Sequence, residues 1–568
     1  MPISAISTDL LVVGGGLGGV AAALTAAKLG CRVVLAERST WLGGQLSTQA
    51  VPPDEHQWIE TSLTSPSYRA LREAIRGHYR RAYPLTEDAA GIEHLNPGMG
   101  FVSRICHEPR VGALAVEEIL SAHIASGAIT LLREHTAVDV RRDGRRITSV
   151  TLRAPNGDRL EVRATLVADA TEEGDLIEPA GLPVVIGAEG RDETGELHAP
   201  DVADVHDQQA VSWCVALEYR PGEEHTIPRP DRYEHWRDTI DPRWPASQLS
   251  WEDVVPDTLQ PRVRPLFAQS PQEAIHTRAD DLWQYRRILS RQLLDPAFTG
   301  GEITLVNWPQ IDYWELPLHG VSPQAREKAL EGARSLTLSF VHWMQTEAPR
   351  HDGGFGYPEL RPRGDVMGTA DGLAKEVYIR ESRRIRALFT VTEGHIGRQM
   401  RGADAGSAIF ADSVGIGYYR IDLHPSTSGR NYVDIDCFPF QIPLGALIAA
   451  DADNFVAANK NIGTTHITNG AYRLHPVEWS IGEAVGALAA RVVETGLDPA
   501  RIREDPRQLT RLQQVLSEDL GVSLAWPEQI RTGGAAFDRV PMSPDDAAPA
   551  PALRAVFDRT DGIGRSKR

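Results

Sequence analysis

This chain of 568 residues is short of cysteine and of positive charge, and each shortage removes a class of function. Its four cysteines, Cys31, Cys106, Cys214 and Cys437, stand far apart and form no C-x-x-C pair. That spacing signals neither a zinc site nor a dithiol redox centre, so isolated thiols and no metal are expected. Lys and Arg number 59 against 77 Asp and Glu, a formal charge of -18. No dense basic face is available to offset phosphate repulsion, which argues against a nucleic-acid partner. The opening MPISAISTD lacks the basic stretch and separate apolar run of a secretory leader, so a cytoplasmic protein is the expectation. Leu10 to Ala27 is uncharged and long enough to imitate a membrane span, but glycines at 14, 15, 16, 18 and 19 argue against one, and no membrane partner is expected.

That same window is the informative stretch. Leu10 to Val13 reads as a strand, Val20 to Leu29 as an alanine-rich helix, and Arg32 to Ala36 as a second strand that ends on Glu37. Between the first strand and the helix, Gly14, Gly16 and Gly19 fill a G-x-G-x-x-G frame. The first glycine makes the tight turn, the second lets backbone approach a pyrophosphate, and the third lets helix and strand pack closely. The helix N-terminus favours an anion, and Glu37 is placed to accept hydrogen bonds from a ribose diol. A length well beyond one ordinary domain implies further packed units.

Behind Glu37 come Arg38 and a second glycine pair, Gly43-Gly44, followed by Gln45. With these residues the chain resembles the FAD-dependent oxidoreductases of the glutathione-reductase-like group, in particular the subgroup called FAD-dependent oxidoreductase or xanthan lyase-like. The resemblance covers roughly residues 8 to 495. It implies an α/β fold, a Rossmann-like FAD-binding domain of ββα sandwich type with an inserted mixed α+β substrate or cap domain. The expected division is 1–180 for the first part of the FAD domain, with a flavin or substrate loop and helix over 50–110. The cap follows over 181–405, the return to the FAD domain over 406–496, and a helical extension and Pro/Ala/Asp-rich tail over 497–568. FAD is the implied cofactor, with the second glycine pair along its phosphates and ribityl chain.

Within that frame, residues 50 to 80 start as a Pro-rich loop and become a basic helix striped with Tyr68, Leu71, Ile75 and Tyr79, and the His56, Trp58 and Glu60 loop is a candidate for reaching the substrate. A meander through Asp143-Gly144 and Asn156-Gly157 follows, and in the resembled group it offers a backbone contact to adenine, here at Val138. Leu166 to Asp175 resembles the strand and turn that return the chain to the FAD domain, with Asp169 at the strand end and Glu172 where glycine is common. Trp- and Tyr-rich residues 180 to 350 read as the cap, whose Asn307 to Trp314 mixes aromatic faces with short polar groups. Charged Ala374 to Phe389 reads as a surface or interdomain segment.

The strongest C-terminal signal is Lys460 to Trp479, a polar loop between an apolar strand and a helix. Asn461 is a candidate for the ribityl chain, and Leu474 and Val477 stand at a helix start able to stabilise charge on the flavin edge. Where many members of the resembled group have Gly-Arg after this strand, this chain has Asn459-Lys460. A histidine is the natural base for removing a proton while a hydride leaves, and His424, His466 and His475 are the candidates. Arg430 and Arg473 are candidates for a carboxylate or developing oxyanion, Arg473 with a salt bridge to Glu478 as its alternative.

The expected function is an FAD-dependent oxidase or dehydrogenase that removes a hydride from a C–OH or C–N bond of a small polar metabolite, or desaturates it, with the flavin reoxidised by oxygen or another acceptor. A flavin-dependent monooxygenase and a non-catalytic FAD-binding protein are the alternatives. Size and the resemblance are compatible with a homodimer.

Overall fold

The computed structural model describes residues 4–267, 281–403 and 405–532. Its organising element is a seven-stranded sheet built from β1 (Ser4–Val13), β2 (Val33–Glu37), β3 (Ile129–Arg133), β4 (Thr136–Asp143), β5 (Arg146–Arg153), β6 (Arg159–Asp169) and the late strand Phe455–Ala457. The order is β3-β2-β1-β6-β5-β4, with Phe455–Ala457 joined to β6. β3, β2, β1, β6 and the late strand are parallel, whereas β4 and β5 form an antiparallel meander. This is the Rossmann-like α/β arrangement that the glycine frame implies, with Leu10–Val13 of β1 and all of β2 buried on both faces.

Helix α1 (Leu17–Lys28) is buried along its whole length except for its last residue. Small residues permit this: a Cβ on Gly18 would lie 1.8 Å from the Ala458 carbonyl, and one on Gly482 would lie 2.1 Å from the Gly18 carbonyl. The helix His475–Thr495 therefore packs directly on α1 and carries the C-terminal loop back to the first glycine turn.

Residues between 181 and 405 hold a four-stranded antiparallel sheet in the order Arg287–Leu289, Ile303–Val306, Val215–Tyr219, Leu360–Pro362. It shares a second hydrophobic core with the helix Pro323–Thr346, and Trp236, Trp251, Trp283, Trp308, Tyr313 and Trp343 fill that core. The aromatic richness of this region thus serves packing. Ala374 to Phe389 is interior where a surface was one of two expectations: Tyr378, Arg380, Glu381 and Arg384 are all buried. The tail from 533 onward lies outside the described residues, while Pro499–Glu504, Pro506–Gln514 and Glu528–Thr532 are helical. Among the described residues no helix is long and apolar enough to cross a membrane.

Inside the His475–Thr495 helix, the Glu483 carboxyl is buried against Ser67 Oγ, which also accepts from Trp479 Nε1 at 2.7 Å. Burial pushes this carboxyl up to about 7 from an ordinary 4.5. A folded-state value above the unfolded one means that the native state loses stability as pH rises from about 4.5 to about 7 and stays level above that. Glu483→Gln is therefore expected to match the wild type in unfolding free energy near pH 4.5 and to exceed it at pH 8, by up to about 3 kcal/mol. A difference that does not change with pH contradicts this.

Candidate functional site

The first glycine turn forms a cradle. Gly14 has φ of +103°, and a Cβ there would lie 2.2 Å from the Ala170 carbonyl, so only glycine fits. Gly19 supports helix and strand contact, since its Cβ would lie 2.0 Å from the Gly14 carbonyl. Gly43 donates its N–H to the Gly15 carbonyl at 2.7 Å, which ties the second glycine pair to the first. The Glu37 carboxylate accepts from the Gly15 and Ser39 N–H groups, each at 2.6 Å. Burial, with the Glu376 charge behind it, pushes Glu37 up to about 7.

A cavity of about 400 Å³ opens from this cradle, lined among others by Gly14, Gly16, Glu37, Arg38, Gly44 and Ala137. Its rim is charged, because Arg38 pairs with Glu376 at 2.7 Å and Glu173 at 3.3 Å. Val138 lies at an irregularity in the β4–β5 register and is not in the lining; His135, Thr136 and Ala137 are. The bulge shifts the accessible backbone by one residue from the expected position.

Two further expectations change at the strand ends. The Asp169 carboxylate is used up by its own turn, accepting from Thr171 N and Oγ1 and from Leu176 N at 2.7–3.0 Å. Asn461 donates Nδ2 to the Asp169 carbonyl at 3.0 Å and accepts from Asn459 N at 3.2 Å. Asp169 caps its own turn and Asn461 ties the loop after the last strand to the end of β6, which commits both side chains within the protein. Leu474 and Val477 do stand at a helix start, as N-cap and in the first turn of His475–Thr495. Gln45 donates Nε2 to the Arg473 carbonyl at 2.9 Å and leaves its buried Oε1 without a protein partner.

The three histidines separate clearly. His475 is fully buried, with Nδ1 accepting from Asp54 N at 3.3 Å and Nε2 against the Val51 carbonyl at 3.2 Å. Both nitrogens are committed to backbone and burial pushes the imidazole far below its ordinary range, so it cannot serve as the base. His466 is also sealed, its Nδ1 2.8 Å from Glu381 Oε2 and its backbone N–H bonded to Glu189. His424 alone keeps a partly open ring, 17% exposed. Its Nδ1 is 2.5 Å from Asp312 Oδ2, and Asp422 Oδ2 lies 3.6 Å from its Nε2.

Asp312 comes from the Asn307 to Trp314 stretch, whose polar residues hold the site while its aromatics hold the core. Burial would raise its carboxyl, but the Arg380 and His424 charges outweigh that and hold it below its ordinary value. Arg380 Nη2 reaches Asp312 Oδ1 at 2.9 Å, and Ser212 Oγ donates to the same oxygen at 2.5 Å. Arg473 donates Nη1 to Tyr378 Oη at 2.6 Å and Nη2 to Asp422 Oδ2 at 3.1 Å, so Asp422, not Glu478, is its carboxylate partner. Arg430 points elsewhere: it holds Asp207 at 3.0 Å and the His198 carbonyl at 3.2 Å, a tie between loops.

Sequence reasoning missed Asp54 and Arg286. Asp54 Oδ1 and the Nε and Nη1 of Arg286 are buried with no protein partner, and Asp54 feels the charges of Arg286, Arg473, Asp422 and His424. Neither stands in a motif, so only the folded chain brings them together. The expected substrate loop is mostly structural instead: Glu60 pairs with Arg72 and Arg76, and His56 packs on Trp58 and Trp526.

Comparisons with known proteins add the following. Over 94 residues the chain is 36% identical to an NADH oxidase of Thermoanaerobacter brockii, a match that spans 16% of this chain and only 13% of that protein. Solved structures that resemble it include p-nitrophenol 4-monooxygenase PnpA from Pseudomonas putida, at 12% identity and TM-score 0.34 over the full length of both chains. The myxobacterial chondrochloren halogenase CndH matches at 14% identity and TM-score 0.33, covering 98% of this chain and 91% of that one. These likenesses are too distant to argue an activity from. The model of the FAD dependent oxidoreductase family matches residues 9–516, and with the glycine cradle, the parallel sheet and Glu37 in place, the chain belongs to the FAD-dependent oxidoreductase family.

Proposed function

We propose that this FAD-dependent oxidoreductase oxidises a C–OH or C–N bond of a small polar metabolite, with His424 as the base and Asp312 orienting it. The residues fit the cofactor: Gly14 turns the chain where no Cβ fits, Gly16 and Gly44 border a slot that the Glu172 carboxylate fills, and Glu37 stands at the end of β2 beside the cavity. When bound, FAD supplies the hydride acceptor.

The observation that carries this reading is the His424–Asp312 pair at 2.5 Å on a ring that still reaches solvent. With Nδ1–H donated to Asp312, the Nε2 lone pair is available to take the proton from a substrate O–H or N–H. Asp312 and Asp422, on either side, stabilise the imidazolium that results, and solvent access lets that proton leave afterwards. Arg473, held by Tyr378 and Asp422, and Arg286, with open donors, can bind an anionic or carbonyl oxygen of the substrate. Asp54 offers an acceptor for a substrate hydroxyl or ammonium group.

Anaerobic addition of small alcohols, amines, hydroxy acids and amino acids to the flavin-loaded protein tests the reaction class. Bleaching of the flavin absorbance by one of these classes is expected. Reduction by NAD(P)H alone would replace this reading with a monooxygenase, and a protein that takes up no FAD would remove both. For the reducing compound, His424→Asn is expected to slow flavin reduction about 10²-fold or more, with a smaller change in KM. Unaltered reduction in that variant contradicts His424 as the base.

A further inference from the structure

Two departures from the resembled group's usual pattern, Glu172 in the turn after β6 and Lys460 after the late strand, meet inside the fold. Lys460 Nζ donates to Glu172 Oε2, across 288 residues of sequence, and to Glu478 Oε1 at 3.2 Å. All three side chains are buried, with Lys460 1%, Glu172 7% and Glu478 0% exposed. A buried charged trio of this kind contributes little to stability against a well-packed apolar alternative, so its position calls for another explanation.

That position is the slot between the two glycine turns. A Cβ on Gly16 would lie 2.5 Å from Glu172 Oε1, and one on Gly44 would lie 2.0 Å from the same oxygen. The slot opens at the N-terminus of α1, where Gly16 is the N-cap and no side chain caps the helix. Backbone dipoles there favour an anion, and the carboxylate of Glu172 sits where one belongs. Asn459, fully buried, also turns its carboxamide into the slot, with Nδ2 3.4 Å from Glu172 Oε1 and Oδ1 without a partner.

A carboxylate fixed in that slot would repel a diphosphate. An ammonium has three donors, and Lys460 spends two on Glu172 and Glu478. We propose that Lys460 is a direct ligand of the cofactor's diphosphate, and that Glu172 is the internal anion that occupies the slot until the diphosphate displaces it. Lys460 then exchanges one anion for another, and the buried ammonium is never left without a counter-charge.

The test measures binding to the flavin-free protein by calorimetry, with ADP as the diphosphate probe, adenosine as the control that lacks phosphate, and FAD itself. Lys460→Met is expected to weaken ADP and FAD at least about tenfold while adenosine changes less than about twofold. Glu172→Gln, which keeps the shape but not the charge, is expected to tighten ADP, and weakening there overturns the role given to Glu172. The double variant E172Q/K460M decides between phosphate binding and simple charge balance, and it removes one of the two carboxylates that might unfold K460M alone. ADP affinity in the double variant at least about tenfold below that of E172Q supports the proposal. ADP affinity equal to that of E172Q shows that Lys460 only neutralises Glu172 and overturns it. Equal losses for ADP and adenosine overturn it as well.

Discussion

The structure depends on the close contact between α1 and the C-terminal helix His475–Thr495. Gly18 sits against the Ala458 carbonyl and Gly482 against the Gly18 carbonyl, at separations that leave no space for a single added methyl group. Because these backbones touch, the last strand can pair with β6, and the loop between that strand and the helix is delivered to the mouth of the first glycine turn. More than 400 residues of intervening chain are thereby bracketed between two halves of one nucleotide-binding layer. Gln45 on the Arg473 carbonyl and the Asp54 N–H on His475 lie near that seam.

Around the seam the protein buries an unusual quantity of charge, and it does so in matched sets. Arg380 holds Asp312, which holds His424; Arg473 holds Asp422; Lys460 holds Glu172 and Glu478; Arg384 holds Glu381, which holds His466. Burial still drives some carboxylates up to about 7: Glu37 and Glu483, and Glu478 even beside Lys460. The matched sets fix protonation states and side-chain directions, which is what a site needs for transferring one proton at one atom. Asp54 and Arg286, outside these sets, also keep open valences, and Asp54 feels the charge of His424.

The nucleotide-binding half was legible because its constraints are local. A left-handed turn at Gly14, a strand ending on Glu37 and small residues along α1 each follow from neighbours in sequence. Asp169 and Asn461 were misread because a polar residue at a strand end looks the same whether it binds a ligand or caps its own turn. Val138 stands at a bulge, which leaves no trace in the pattern of apolar residues. The substrate side was harder still. Asp312 was hidden in an aromatic stretch that mostly builds core, and Arg286 and Asp54 acquire meaning only through partners far away in the chain. The histidines were recognised as a group, but choosing among them required knowing which nitrogens were already bonded.

The central claim is that the flavin's reactive edge lies against His424, with Arg473 and Asp54 around it. A crystal structure of the FAD complex tests this most directly. The account predicts the diphosphate between the Gly16 and Gly44 turns and His424 Nε2 opening onto the space in front of the flavin ring. A flavin ring facing His466 and Glu381 instead, with His424 cut off from it, would contradict the account.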